Sequence, residues 1–389
     1  MDWLEFIGAH MNRLWDKCIL LLFRFGFKIV DAVNIIGGYV DLVSVYRIKS
    51  PLYDKNRQRF TFYAPSNRPF DEKAITFLRE MQLQHWNPGE LDFQKDIPDF
   101  ESLPRPLQET LVGLLAFFAF GDGVVDEVID HVRKKIQIPE VQAFYWSQGD
   151  SEIVHGQTYG DMIRAFVPDQ KKQDLLLTEC GEICNLQLKL DWVNKWTKNW
   201  LPLPVLLCAM LIIEQLWFST AFNIINWLRV LNVMPEMVRA NEFIIRNEKL
   251  HGDYAAYLLT RYFNFKENLP LQRVFFRMLD EAKSAETNFL FVMSTKVQDE
   301  TEPRYKGLQF EVLYKHMNET VNAMILQLFE QISPVTEELQ DYNKDVGLHL
   351  SLLTALGSGK DNFFEYCSPN YQLPLVSKIN YDDPKLYTQ

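Results

Sequence analysis

From about residue 70 onward, apolar residues recur at three- and four-residue spacings almost without a break. That is the pattern of helices that bury one face. Alternating Val-, Ile- and Thr-rich runs bounded by hairpin turns are missing, which argues against a β-rich core. Prolines mark where helices begin, since a missing N–H costs nothing in the first turn. Pro104 and Pro106 stand ahead of the apolar run Leu107–Phe120, and Pro139 opens a helix that continues through Tyr159 towards Phe166. Pro202 and Pro204 precede one from about Val205 to Val230, and Pro235 starts one reaching about Phe263. Further helical stretches are expected at about 270–299 and 304–332. The pattern predicts one all-α domain over 65–360, behind a partly helical arm, 1–64. A C-terminal tail, 361–389, holds Pro369, Pro374 and Pro384 with scattered tyrosines and no helical period, so flexibility is expected there.

The arm raises the question of a membrane. Residues 13–46 are apolar, but Arg24, Lys28, Asp31 and Asp41 interrupt them, and the longest charge-free run is nine residues, 32–40. A bilayer span needs about 20. A packing arm is favoured over an interfacial helix, and no clear membrane span is expected. The start, Met1-Asp2-Trp3-Leu4-Glu5, lacks the basic n-region of a secretory leader.

Composition narrows the function classes. Across 389 residues the formal net charge is −11, so a phosphate backbone would be met by repulsion and nucleic acid is not the expected partner. The five cysteines (Cys18, Cys180, Cys184, Cys208, Cys367) contain no CxxC pair, so neither a disulfide scaffold nor a structural zinc site is indicated. Buried thiols in a reducing, cytoplasmic compartment are the expectation.

The chemistry sits where charge interrupts apolar helices. Between Asn199 and Leu228 the one charged residue is Glu214. A helix apolar on all sides is buried, so this carboxylate is interior and must be neutral, Arg-paired or bound to a metal ion. Asp122 ends the uncharged run Thr110–Gly121, although Asp126 and Asp130 follow and it could merely begin a polar face. Two of the seven histidines have Glu three residues earlier, in Glu152-Ile-Val-His155 and Glu248-Lys-Leu-His251. Positions i and i+3 of a helix face the same way, so carboxylate and imidazole can reach one ion. Four helices thus offer Asp122, Glu152/His155, Glu214 and Glu248/His251. That is the ligand set of di-iron and di-manganese carboxylate bundles, with Asp in place of one Glu. Mixed oxygen and nitrogen ligation suits iron or manganese.

Taken together, these motifs resemble the small, radical-generating subunit of class I ribonucleotide reductase, of the eukaryotic and viral type. The resemblance runs over about residues 50–372. It is carried by Ser50-Pro-Leu, Arg59-Phe60, Trp86 with Glu90-Leu-Asp92, and Leu115-Ala-Phe-Phe-Ala-Phe-Gly-Asp-Gly123. Both ExxH pairs, Glu214-Gln-Leu-Trp-Phe218 and Asn362-Phe-Phe-Glu365 complete it. It implies a ferritin-like helical bundle with additional helices, a dinuclear iron centre (or manganese) that uses O2, and a homodimer. The tail would dock on a large subunit that reduces ribonucleotides to deoxyribonucleotides.

By the same resemblance, Tyr159, one turn after His155, stands at the position of the family's stable tyrosyl radical. Phe218, Phe222 and Ile244 match apolar residues that wall it in. Trp86 and Tyr371 match the ends of the family's radical-transfer route. Two departures stand out. Asn247 replaces the Asp expected before the second metal-binding Glu, and an amide cannot take up a proton. The last residues, Lys385-Leu-Tyr-Thr-Gln389, differ from the usual acidic docking peptide. Two further readings stay open. One is a related di-metal oxidase acting on a small hydrophobic substrate. The other is a paralogue that binds partners but starts radicals poorly.

Overall fold

The prolines place the helix starts as their positions predict. The computed structural model describes residues 38, 40–52, 71–178, 186–297 and 308–329. Its main helices begin with α1 (Glu72–Leu83), α2 (Arg105–Lys134, with Pro106 in the first turn), α3 (Pro139–Phe166), α4 (Gln187–Trp196) and α5 (Leu203–Ile212, with Pro204). A π-helical turn, Ile213–Trp217, joins α5 directly to α6 (Phe218–Leu231). Then come α7 (Pro235–Phe263), α8 (Leu269–Val297, with Pro270) and α9 (Phe310–Leu328). No strand occurs among the described residues. The chain divides into two units, residues 1–350 and 351–389, and the second lies outside the described residues.

The packed pairs α2/α3 and α5–α6/α7 form the bundle, with α1 against α3 and α7, and α8 and α9 completing the outer side. The stretch Leu203–Leu231 is long and apolar enough to cross a membrane, but 94% of its most apolar window is buried by its neighbours. Its hydrophobicity is therefore spent on the core. In the arm, the helical segment 40–46 lies on the bundle. Arg273 Nε donates to Asp41 Oδ1 at 2.8 Å, and the Tyr46 ring stacks on Trp200.

The register of α7, which carries Asn247, Glu248 and His251, is fixed at its start. Asp96, fully buried, accepts from the backbone N–H groups of Glu236 (3.2 Å) and Met237 (2.7 Å), and Asp99 accepts from Met234 N–H at 2.8 Å. These carboxylates satisfy donors that a helix start leaves open. They also hold Met234 at φ 53°, a conformation that side chains with a Cβ rarely adopt. Two glycines let helices close on the site. A Cβ on Gly121 would lie 2.7 Å from the Phe218 ring, and one on Gly252 would lie 2.4 Å from Gln215 Cγ.

Candidate metal centre

Each candidate residue projects from its predicted helix into one interior volume. Asp122 comes from α2, Glu152 and His155 from α3, Glu214 from the π-helical turn, and Glu248 and His251 from α7; all are buried. Ligand atoms of Glu152, Glu214, Glu248 and His251 lie within 4.8 Å of one another, and so do those of Asp122, Glu152 and His155. Glu152 belongs to both groups. His155 Nδ1 is 3.2 Å from Glu152 Oε2 and 3.0 Å from Glu248 Oε1, while His251 Nδ1 is 3.1 Å from Glu152 Oε1 and 3.1 Å from Glu248 Oε2. Two carboxylates therefore span two imidazoles, with Asp122 and Glu214 one at each end.

The Asp122 side chain is buried while Asp126 is exposed, so Asp122 does not simply open a polar face. No lysine or arginine pairs with Glu214 among the described residues, which removes the Arg-paired alternative. Both Asp122 oxygens lack a hydrogen-bond partner. Four buried carboxylates facing two imidazoles carry more negative charge than the protein neutralises, and protons make up the difference. Burial raises the Asp122 carboxyl, and the Glu152 charge raises it further; Glu214 is raised by burial and then by Glu248. Against burial, hydrogen bonding to Glu214, His155 and His251 pulls Glu248 far below the carboxylate range. Burial would lower His155, but Glu152 and Glu248 outweigh it and push the imidazole up to about 10; His251 is raised by the same kind of neighbours. A proton-filled, oxygen-rich cavity with orphaned acceptors fits divalent cations, which would displace those protons.

Outer partners aim both imidazoles. His155 Nε2 lies 3.1 Å from Asn247 Oδ1, which also accepts from Trp86 Nε1 at 3.1 Å, while Asn247 Nδ2 donates to Gln84 Oε1 at 3.3 Å. The indole can only donate, so the amide oxygen must face it. His251 Nε2 lies 3.1 Å from Ser151 Oγ, whose own proton goes to the Gln148 carbonyl at 2.9 Å. Each imidazole thus keeps its proton on Nε2 and turns Nδ1 to the carboxylates, as a metal-ligating histidine does. Asn247 therefore occupies the bridging place between Trp86 and His155 that the resemblance assigns to an acid. It does so with a neutral oxygen.

Tyr159 is buried, with no hydrogen-bond partner for its hydroxyl. Burial, and then the Asp122 charge, push its pKa well up, so the phenol is held neutral. Phe118 stacks on it at 5.1 Å, and Phe118 in turn contacts Phe222 (4.7 Å) and Phe218 (6.0 Å); Ile244 is buried on α7. Trp86 is buried and stacked on His155 at 6.2 Å. Tyr371 lies outside the described residues, as do Cys18, Cys180, Cys184 and Cys367; Cys208 is a buried free thiol.

Comparison with known proteins decides the family. The model of the family "Ribonucleotide reductase, small chain" matches residues 66–302. The chain belongs to the ribonucleotide reductase small chain family. It is 29% identical over 267 residues to the ribonucleoside-diphosphate reductase small chain of African swine fever virus (isolate Warthog/Namibia/Wart80/1980), covering 68% of this sequence and 78% of that one. A ribonucleoside-diphosphate reductase small chain from Arabidopsis thaliana is 30% identical over 244 residues, covering 62% and 69%. Among solved structures, the Rnr4 homodimer of Saccharomyces cerevisiae superposes with a TM-score of 0.62 at 19% identity, covering 79% and 96%. The dimanganese(II)-NrdF of Streptococcus sanguinis gives 0.60 at 15%, covering 70% and 93%. At these identities the structural matches speak for the shared ferritin-like fold.

As a reductase small subunit, an enzyme component of the oxidoreductase class, the protein shows four site features that sequence reasoning missed. Gln148 Nε2 donates to Glu214 Oε1 (2.8 Å) and Glu152 Oε1 (3.2 Å), tying the two carboxylates together. Ser151 orients His251, and Phe118 is the ring that lies on Tyr159. Gln148 and Phe118 each precede a candidate ligand by four residues, one helical turn, which was the available signal. The π-helical turn left none: it widens the helix at Glu214, as such bulges do at functional sites, but its sequence is ordinary apolar helix.

Proposed function

We propose that this small subunit holds a dinuclear iron centre, with manganese as the alternative metal, on Asp122, Glu152, His155, Glu214, Glu248 and His251. We propose further that it uses O2 to oxidise Tyr159. The bound metal pair would supply the one-electron oxidising power that carboxylates, imidazoles and amides lack. The protein's own residues do the rest. Glu152 and Glu248 reach both imidazoles, Asn247 and Ser151 lock the ring orientations, and Gln148 steadies Glu214. Phe118 covers the phenol and Phe218 and Phe222 pack behind Phe118, so that water and reductants stay away from it.

The oxidising equivalent would leave along Trp86, whose indole N–H shares the Asn247 oxygen with His155. It would pass through Tyr371 to a large subunit that reduces ribonucleotides to deoxyribonucleotides. A homodimer in the cytoplasm is the assembly this reading expects, with 65–360 as the metal domain, 1–64 as an arm and 361–389 as the docking tail. One observation carries the proposal: a buried Tyr159 hydroxyl that, among the described residues, has no partner and lies beside an acid cluster with no lysine or arginine to balance it. Asn247 favours a second reading, a subunit that forms the radical poorly or cannot export it, because an amide cannot accept the proton that an acid there could. Anaerobic loading with Fe(II) followed by O2 tests both. A tyrosyl EPR signal that Tyr159→Phe abolishes without loss of metal supports the proposal. Two bound metals with no signal in the wild type would refute it. A signal that supports nucleotide reduction only in Asn247→Asp would select the second reading.

A further inference from the structure

Apart from the contact between Trp86 and His155, an unbroken ladder of aromatic rings leads away from His251. The Phe144 ring meets the His251 imidazole edge-on at 6.3 Å and stacks on Tyr254 at 3.9 Å; Tyr145 lies 5.5 Å from Tyr254. Tyr254 is 6.1 Å from Tyr257, and Phe77 fills the gap at 5.2 and 5.4 Å from the two rings. The ladder ends on a carboxylate. Tyr257 donates its hydroxyl to Asp71 at 2.6 Å, and Tyr262 donates to the same group. Tyr254 is fully buried, whereas Asp71, Tyr257 and Tyr262 are half-buried at the rim of the bundle.

Asp71 already caps α1 by accepting from Ala74 N–H at 2.9 Å. A cap needs neither phenol. Two phenols on one carboxylate, at the outer end of a ring ladder that starts on a candidate metal ligand, match what proton-coupled tyrosine oxidation requires: an electron path on one side and a base on the other.

We propose that Tyr254, Tyr257 and Tyr262, with Asp71 as proton acceptor, form a second redox relay that drains oxidising equivalents from the bundle to the surface. It rests on the oxidative chemistry proposed above. One electron leaves the Tyr257 phenol inward through Tyr254, to a one-electron oxidant of the class that O2 chemistry supplies in the bundle. The O–H bond breaks, and its proton crosses the hydrogen bond to Asp71. A thiol- or ascorbate-class reductant in solution then returns one electron to the Tyr257 radical while Asp71 returns the proton. The net result is discharge of the oxidant without loss of either residue. The electrostatics agree: burial and Asp71 itself push both outer phenols up, so neither ionises beforehand and the proton must move with the electron. Against burial, the two phenols, the Ala74 N–H and Arg261 hold Asp71 in its anionic form.

Two measurements on the full-length protein test this. In the metal-free protein, flash oxidation by photogenerated ruthenium(III) tris-bipyridine should give a fast tyrosyl component by transient EPR. It should slow about 100-fold in Asp71→Asn, the lower range of what a positioned proton acceptor is worth, recover in Asp71→Glu, and vanish in the double variant Tyr257→Phe/Tyr262→Phe. Equal kinetics in all four proteins, each folded by circular dichroism, would overturn the relay without reference to metal. In the iron-loaded protein with ascorbate, the Tyr159 signal should persist about tenfold longer in Tyr257→Phe/Tyr262→Phe. An unchanged lifetime overturns the drain, whereas failure to form any Tyr159 signal counts against the proposed function, which the metal-free experiment leaves aside.

Discussion

Lys189 and Glu286 sit as deep in the bundle as Glu152 and His155, and the two clusters meet the cost of buried charge in opposite ways. Lys189 Nζ is 2.6 Å from Glu286 Oε2, the Thr220 hydroxyl donates to the other oxygen, and the ammonium lies 4.2 Å over Phe117 and 4.0 Å over Phe289. One cation meets one anion, and aromatic faces add to the cation's solvation. The candidate metal centre has four carboxylates, two imidazoles and, among the described residues, no lysine or arginine, and its balance depends on protons. Both clusters abut the same aromatic wall, since Phe117 contacts Phe118 and Phe218 as well as Lys189. The difference teaches what distinguishes a structural ion pair from a site built for ions: burial is common to both, while charge balance belongs to one.

Breaking each cluster should have different consequences. The largest effect is expected from Glu152→Ala, because Glu152 belongs to both ligand groups: metal analysis should fall from two ions per protomer to at most one, while Glu286→Gln should leave two. Next, Lys189→Met strands the Glu286 carboxylate and should cost about 3–5 kcal/mol in denaturant unfolding, whereas Lys189→Met with Glu286→Met should recover most of that. Metal content should not change in either. A third buried imidazole sharpens the contrast. His316 faces Ser219 with no carboxylate against it among the described residues, and burial lowers it from 6.5 to about 4. The unfolded chain takes up this proton near pH 6.5 and the folded one only near 4, so the neutral ring's contribution is intact above pH 6.5. It is lost as pH falls towards 4, amounting to about 3 kcal/mol. Comparing metal-free wild type with His316→Gln over that window should show the variant's stability falling less steeply. The smallest effect is expected from Ser151→Ala, which frees the outer nitrogen of His251 and should weaken metal binding about tenfold with little change in fold.

Much of this was legible in the sequence because helix starts and lone charges are local signals. Pro106, Pro139, Pro204 and Pro235 each fall in the first turn of an observed helix, and Glu214 and Asp122 stood out against uncharged surroundings. The ExxH spacing encodes a shared helix face, so the ligand groups could be assembled before the fold was known. What escaped reading was relational. Gln148, Ser151 and Phe118 acquire their roles from residues on other helices, and Lys189 and Glu286, nearly a hundred positions apart, look like ordinary surface charges in the sequence. The π-helical turn at Glu214 is set by tertiary packing, which the residues of that turn do not announce. Asn247 was legible as a departure, but its contact with both Trp86 and His155 required the fold.

Everything proposed for the bundle depends on the unbalanced cluster being a two-ion site. Anaerobic calorimetric titration of the metal-free protein with Fe(II), run in two buffers of different ionisation enthalpy, tests it most directly. Two ions should bind per protomer with net proton release, as His155, His251 and the raised carboxyls give up their protons to the metals. Fewer than two ions per folded protomer, or two ions taken up without proton release, would contradict it.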